Sequence, residues 1–327
     1  MNLRALPIAC MTLSALACGE APTTTNLDRP PHLELSDGSA APPASGQNFI
    51  STNIAISSRV GADNALGPLG RVLNDQLRQG LLGGETLLLL EVAGLDPPFY
   101  GNDEAAELRV YGGFDFDEPF FPANNFQRLK GVDTCCQFLI AAESMSADRR
   151  SALTRLPIQA DASVVSARAP GRMHFPLTVG VPPHPVFELE RFGVNLSLGT
   201  EPAANRPDKG TLKGSLFGVW SYRNLASIEN PFCRTANGLC SLPGATLLDM
   251  VEQLVAPAPT DLDGDGLERV ERDGAGRVIG CVDGDGSAVP GTPGRPEDCV
   301  LDPRMADGYS IVFDVELVGA TIEGIGF

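Results

Sequence analysis

Aromatic residues make up only 6% of this 327-residue chain, and Trp220 is the single tryptophan. A sugar-binding platform of stacked rings is therefore a poor fit. Histidine occurs three times, as His32, His174 and His184, and none stands in HExxH or another ligand spacing. Each reads as a structural or surface residue. There is no GxSxG elbow, no SxxK, no Walker loop and no GxGxxG after a strand, so the usual signatures of hydrolase, phosphoryl-transfer and dinucleotide chemistry are missing. The chain reads as a protein without catalytic activity. Basic residues are few, 24 against 41 acidic, for a net charge of −17. That balance argues against nucleic acid and against an anionic lipid surface as partners. No CxxC pair exists, which makes zinc the weaker reading of the cysteines. Beyond residue 17 no run is long and apolar enough to span a bilayer.

The first residues carry an address. Arg4 is followed by an uncharged, mostly apolar run from Ala5 to Ala17, the length of a signal-peptide core. It ends Ser14-Ala15-Leu16-Ala17-Cys18. Small residues let the peptide lie extended in a peptidase groove, and the cysteine after them offers a thiol for acylation. This resembles the lipobox of bacterial lipoproteins, although leucine is more usual where Ala15 stands. The competing reading is an ordinary secretory signal cut after Ala-Leu-Ala. The resemblance implies residues 1–17 as signal peptide and Cys18 as the lipidated residue, with the N-terminal lipid as the membrane attachment. Residues 18–47, rich in Pro, Thr, Ser, Ala and Gly, cannot bury enough surface to offset ordering and read as a flexible tether. Gly19 and Glu20 follow the cysteine without the Asp that often signals inner-membrane retention, so the expected location is the outer membrane, on its periplasmic or surface face.

Residues 48–327 are enough for one β-rich domain. Of the eight cysteines, Cys10 leaves with the signal and Cys18 is lipidated, which leaves Cys135, Cys136, Cys233, Cys240, Cys281 and Cys299. Six thiols in an oxidising compartment suggest three disulfides, with fifteen connectivities open. Short separations favour Cys233–Cys240 and Cys281–Cys299. Adjacent Cys135 and Cys136 then form a strained vicinal bridge, remain free, or take partners elsewhere.

The body is expected to be mainly β with an α+β character: an antiparallel sheet or sandwich with one or two packed amphipathic helices. Ile50, Thr52, Ile54 and Ile56 alternate with polar or small residues. Leu66, Leu69, Leu73 and Leu77 recur at helical spacing, with Arg71, Asn74, Asp75 and Arg78 on the other face, predicting a helix over 66–80 that Gly83-Gly84 ends. TLLLLEV (86–92) is apolar on both faces and so central. Further strands are expected at 107–114, 175–180, 186–192, 194–199, 211–220 and 309–317. Thr246 caps a short helix with Leu247, Leu248, Val251, Leu254 and Val255 buried. No repeat of solenoid type is evident.

The strongest chemical signal is DLDGDGLERVE, Asp261 to Glu271. Calcium takes six to eight oxygen ligands gathered by a tight turn. Asp261, Asp263 and Asp265 supply three carboxylates, Gly266 permits the reversal, and Leu267 offers its carbonyl while packing inward. This looks like an EF-hand or thrombospondin-type loop, with a departure at its end. The twelfth position is Arg272, and Glu271 falls one short, so Glu271, Asp273 or a distant acid completes the shell. A second acidic stretch, with Asp283, Asp285 and Asp298, surrounds Cys281 and Cys299, near Asp302. For both, the competing reading is a solvated acidic turn. Asp115, Asp117 and Glu118 stand among aromatics in FDFDEPFF; they suit a hydrolase cleft or the polar face of a strand.

Taken together, the lipobox, the Pro/Thr-rich tether, the β-rich body, the DxDGDG segment and ADGYSIVFDVELVGATI (306–322) resemble a family of myxobacterial-type lipoproteins whose final segment runs ADGYSxxxxFxAVxAxI. The resemblance implies a surface or periplasmic location and lends no catalytic residues. The leading expectation is a lipid-anchored structural or ligand-binding protein with a calcium-stabilised loop. A carrier of hydrophobic molecules in an apolar cavity and a hydrolase with an acidic cleft are the alternatives.

Overall fold

A computed structural model of the chain describes residues 46–59, 63–82, 86–94, 106–115, 137–161, 163–176, 186–199, 210–230 and 244–326. Cys18, the tether before residue 46, Cys135, Cys136, Cys233, Cys240, Asp117, Glu118, His32, His184 and Gly83-Gly84 lie outside the described residues, as does the side chain of Asp115.

The described residues are mainly strand. In chain order they form β1 (Gly46–Ile56), α1 (Gly70–Leu82), β2 (Leu87–Ala93), β3 (Glu107–Asp115), β4 (Gln137–Ile140), β5 (Thr154–Asp161), β6 (Val164–Ala167), β7 (Gly171–Pro176), β8 (Val186–Gly199) and β9 (Thr211–Ser221). There follow α2 (Tyr222–Ser227), α3 (Leu247–Val255), β10 (Arg269–Arg272), β11 (Val278–Val282), β12 (Ala288–Val289), β13 (Gly308–Gly319) and β14 (Thr321–Ile325). No described helix is long and apolar enough to cross a membrane.

One sheet runs β3-β2-β1-β13-β9-β8-β6-β5, and β5 pairs back onto β3. The expected sheet therefore does not split into the two layers of a sandwich. It closes into a barrel of eight strands, antiparallel at every seam. Bulges between Ser51 and Asn53 in β1 and between Glu190 and Gly193 in β8 supply the bending that closure needs. β7 adds to the first half of β8. β4 pairs with the second half of β3, and β14 lies parallel to β4, the one parallel pair among the described residues.

Burial explains the sequence pattern. In β5, Thr154, Leu156, Ile158 and Ala160 are buried, while Arg155, Pro157, Gln159 and Asp161 are exposed. β2 is buried throughout because both of its faces are covered. Leu88, Leu90 and Val92 join the main core with Phe187, Phe192, Trp220 and Phe313. Leu87 and Leu89 join a second cluster with Tyr111, Phe138, Ile140, Ile325 and Leu81 of α1. The predicted helix over 66–80 begins instead as a 3-10 turn at Gly67–Leu69, and α1 runs to Leu82. Asn74 does not face solvent as its spacing suggests. It accepts from the Ile56 amide at 2.7 Å and donates to the Ile56 carbonyl at 3.0 Å, pinning α1 to β1.

The barrel has two distinct ends. At one, the chain enters β1, with Gly46 opposite Ala93 and Phe49 opposite Gly319. At the other, β13 begins with Gly308 opposite Ser221 and Tyr309 opposite Trp220. α2 follows β9 there and packs against α3 and the 3-10 turn Pro296–Leu301. The separate sheet β10-β11-β12 belongs to this second end.

Candidate metal centre

The acidic loop starts where Thr260 bridges to Gly308, the first residue of β13. Asp261 Oδ1 accepts from the Gly264 amide at 2.6 Å, and Asp263 Oδ1 lies 3.5 Å from the Asp265 amide. Gly266 is left-handed at φ 120°, and a side chain there would strike the Gly284 carbonyl. The loop therefore folds tightly, and carboxylate oxygens of Asp261, Asp263 and Asp265 lie within 4.8 Å of one another. Asp263 also shares such a group with Glu268 and Asp307.

Glu268 and Asp307 are 1% and 0% exposed. They form a reciprocal brace. Asp307 accepts from the Leu262 amide at 2.8 Å and the Glu268 amide at 3.0 Å. Glu268 accepts from the Ala306 amide at 2.8 Å and the Asp307 amide at 2.9 Å. Two buried acids thus fasten the loop to the start of β13. No ion pair among the described residues involves Asp261, Asp263, Asp265, Glu268, Asp285 or Asp307. The nearby cation, Arg191, donates instead to the Leu262 carbonyl at 2.6 Å.

The electrostatic result is a set of carboxyls whose pKa values are raised above the ordinary carboxylate range. Burial pushes Glu268 up to about 7, with the charges of Asp307 and Asp263 adding to it, against the amide hydrogen bonds. Asp307 is raised by burial first and then by Asp261 and Asp263. Asp265 is raised chiefly by its hydrogen bond to Asp263 and further by Asp263, Asp285 and Asp261. A group of oxygen donors uncompensated by basic residues can hold a metal ion, and such hard donors suit a hard cation.

A pH dependence follows from Glu268. Its folded pKa lies above the unfolded value of 4.5. The native state therefore binds the proton more tightly, and this contribution to stability is present below about 4.5 and lost as pH rises through about 7. In chelator, thermal melts should show wild type losing stability relative to Glu268→Gln between pH 5 and 8. An unchanged difference between the two proteins would contradict the shift.

Several expected ligands sit elsewhere. Leu267 does not pack inward; its side chain is 52% exposed. Glu271 is on β10 opposite Gly280, outside the acidic groups; the glutamate grouped with Asp263 is Glu268. Arg272, at the loop's twelfth position, docks the hairpin on α3 instead. Its Nε reaches Glu252 at 2.7 Å, and its Nη1 reaches Asp249 and the Gly276 carbonyl at 2.7 and 2.8 Å.

Asp283, Asp285 and Asp298 do not gather into a second site. Asp283 is occupied by its own hairpin, accepting from the Ser287 amide at 2.7 Å. Asp298 faces Arg295 at 3.7 Å. Asp285 instead adds its charge to Asp265.

D-G-x-G recurs every ten residues, at 263, 273 and 283. At Asp273 and Asp283 the same turn recurs. Asp273 and Arg277 bond backbone to backbone at 2.9 Å, as do Asp283 and Ser287. Left-handed Gly276 and Gly286 close the two turns.

Cys281 and Cys299 are disulfide-bonded, as their separation suggests, and join β11 to the 3-10 turn 296–301. His174 lies on β7 with Nδ1 3.0 Å from Glu188, a structural pairing. Comparison with family models, curated proteins and solved structures finds no match to the chain.

Proposed function

We propose that this is a lipid-anchored protein of the cell envelope, without catalytic activity, in which a calcium ion stiffens the loop 261–268 against the start of β13. The observation that carries the calcium reading is the pair of buried carboxylates, Glu268 and Asp307, beside Asp263 with no basic partner among the described ion pairs. Desolvated, uncompensated acids destabilise a fold, and a divalent cation relieves that cost. Calcium suits the site better than zinc or copper because every side-chain donor is a carboxylate oxygen. The anchor reading is supported by Ala15-Leu16-Ala17-Cys18 and by the Pro/Thr-rich residues after it.

The interior of the barrel weighs against the carrier alternative. Eight strands enclose a space that side chains can fill. Phe187 lies 4.2 Å from Trp220 and 5.7 Å from Phe313 between ring centroids.

Saturating calcium, at roughly a hundredfold excess over Kd, should add about 2.7 kcal/mol. For a domain of this size that is a rise in Tm of about 5 °C or more. Asp263→Ala should abolish the rise without changing the melt in chelator by a comparable amount. No calcium-dependent shift in wild type would end the calcium reading. Separately, wild type should float with membranes on a density gradient and Cys18→Ser should not; equal flotation of the two would end the anchor reading.

A further inference from the structure

The five carboxylates of the acidic loop and its brace fall into two groups rather than one. Oxygens of Asp261, Asp263 and Asp265 lie within 4.8 Å of one another, and so do oxygens of Asp263, Glu268 and Asp307. Asp263 is the residue the two groups share. Donors around one calcium ion sit about 2.3–2.6 Å from it, so donors on opposite sides are about 5 Å apart at most. Each group meets that limit by itself.

The groups differ in their surroundings. Asp263 and Asp265 are exposed and Asp261 is partly buried. Glu268 and Asp307 are more than nine-tenths buried. Each of their four carboxylate oxygens accepts one backbone amide, which leaves a second acceptor position on each. None of the five residues makes an ion pair among the described residues. Buried charges are otherwise paired or coordinate metals. Five ionised carboxylates carry a charge that one divalent ion leaves more than half unbalanced and two nearly cancel.

We propose that the loop holds two calcium ions, an outer one on Asp261, Asp263 and Asp265 and an inner one on Asp263, Glu268 and Asp307, with Asp263 bridging them. The inference rests on the calcium reading above and adds the second ion. Paired metal ions in proteins sit about 3.5–4 Å apart, a spacing that the two oxygens of one carboxylate can serve. The inner ion fastens the loop to β13, because Asp307 directly precedes Gly308. The outer ion closes the loop on itself, is open to water and exchanges faster.

Equilibrium dialysis of the full chain against radiolabelled calcium should show two ions per chain at saturation. Asp261→Asn with Asp265→Asn should leave one. That double variant keeps the bond from the Gly264 amide, since an asparagine oxygen still accepts, so its fold is not at risk. Rapid mixing of the loaded protein with a fluorescent chelator should give two release phases in wild type and only the slower one in the double variant. Saturation of wild type at one ion would overturn the pair and leave the calcium reading standing. A double variant that binds two ions, or none, would overturn the division into outer and inner sites. Wild type that binds no calcium overturns both readings.

Discussion

Arg272→Met should lower the unfolding free energy by about 3 kcal/mol, the range for removing one partner of a buried ion pair. Arg272 bridges Asp249 and Glu252 on α3 and the Gly276 carbonyl in its own hairpin. All three charged side chains are less than one-fifth exposed. With the guanidinium gone, two desolvated carboxylates face each other without a counter-charge. Part of the loss is limited because Asp249 still closes the capping box with Thr246 and Glu252 still accepts from Tyr309 at 2.8 Å. Arg272→Lys should recover only part of the stability, since a single ammonium cannot reproduce the planar fork that reaches both acids. Chemical denaturation with an unchanged m-value is the measurement. A loss under about 0.5 kcal/mol, the range of an ordinary surface change, would show that α3 and β10 are held by packing alone.

Removing the Cys281–Cys299 bridge should cost a similar amount. The half-cystines are 18 residues apart, and closing a loop of that length stabilises by about 3 kcal/mol in the chain-entropy account. Both are buried, at 2% and 0% exposed, so Cys281→Ala with Cys299→Ala also leaves space in the core. The effect should be local. A sheet of four-, five- and two-residue strands has little core of its own and depends on its fastenings. Those fastenings are the bridge, Arg272 and the Glu268–Asp307 brace. Hydrogen exchange should therefore rise over 269–301 in the double variant while β1, β9 and β13 keep their protection. Uniform loss of protection across the barrel would contradict this local picture.

Much of the molecule can be read along the chain because periodicity reports which face of an element is buried. The alternation in β13 and the doubly apolar β2 both carry through to the structure. β5 has equally clean alternation, yet Pro157 disguises it. Proline is tolerated where β5 passes from β3, opposite Glu107, to β6, where Ile158 faces Ala167. Periodicity has no means of naming a partner. That Asn74 turns back to the backbone of Ile56, against its helical spacing, depends on where β1 ends, which is a tertiary fact.

The acidic centre divides along the same line. Asp261, Asp263 and Asp265 meet because they are two residues apart in one tight loop, and Cys281 finds Cys299 because the segment between them is short and rich in Gly and Pro. The sequence by itself therefore determined the loop, its three carboxylates and the local bridge, because all are contacts of short range. Closure of the sheet through β3 and β5, the arrival of Asp307 beside Glu268 from 39 residues away, and the use of Arg272 as a fastening were decided only by the tertiary structure. Each depends on the register of strands distant in sequence, and register is set by how whole faces pack rather than by any residue's neighbours.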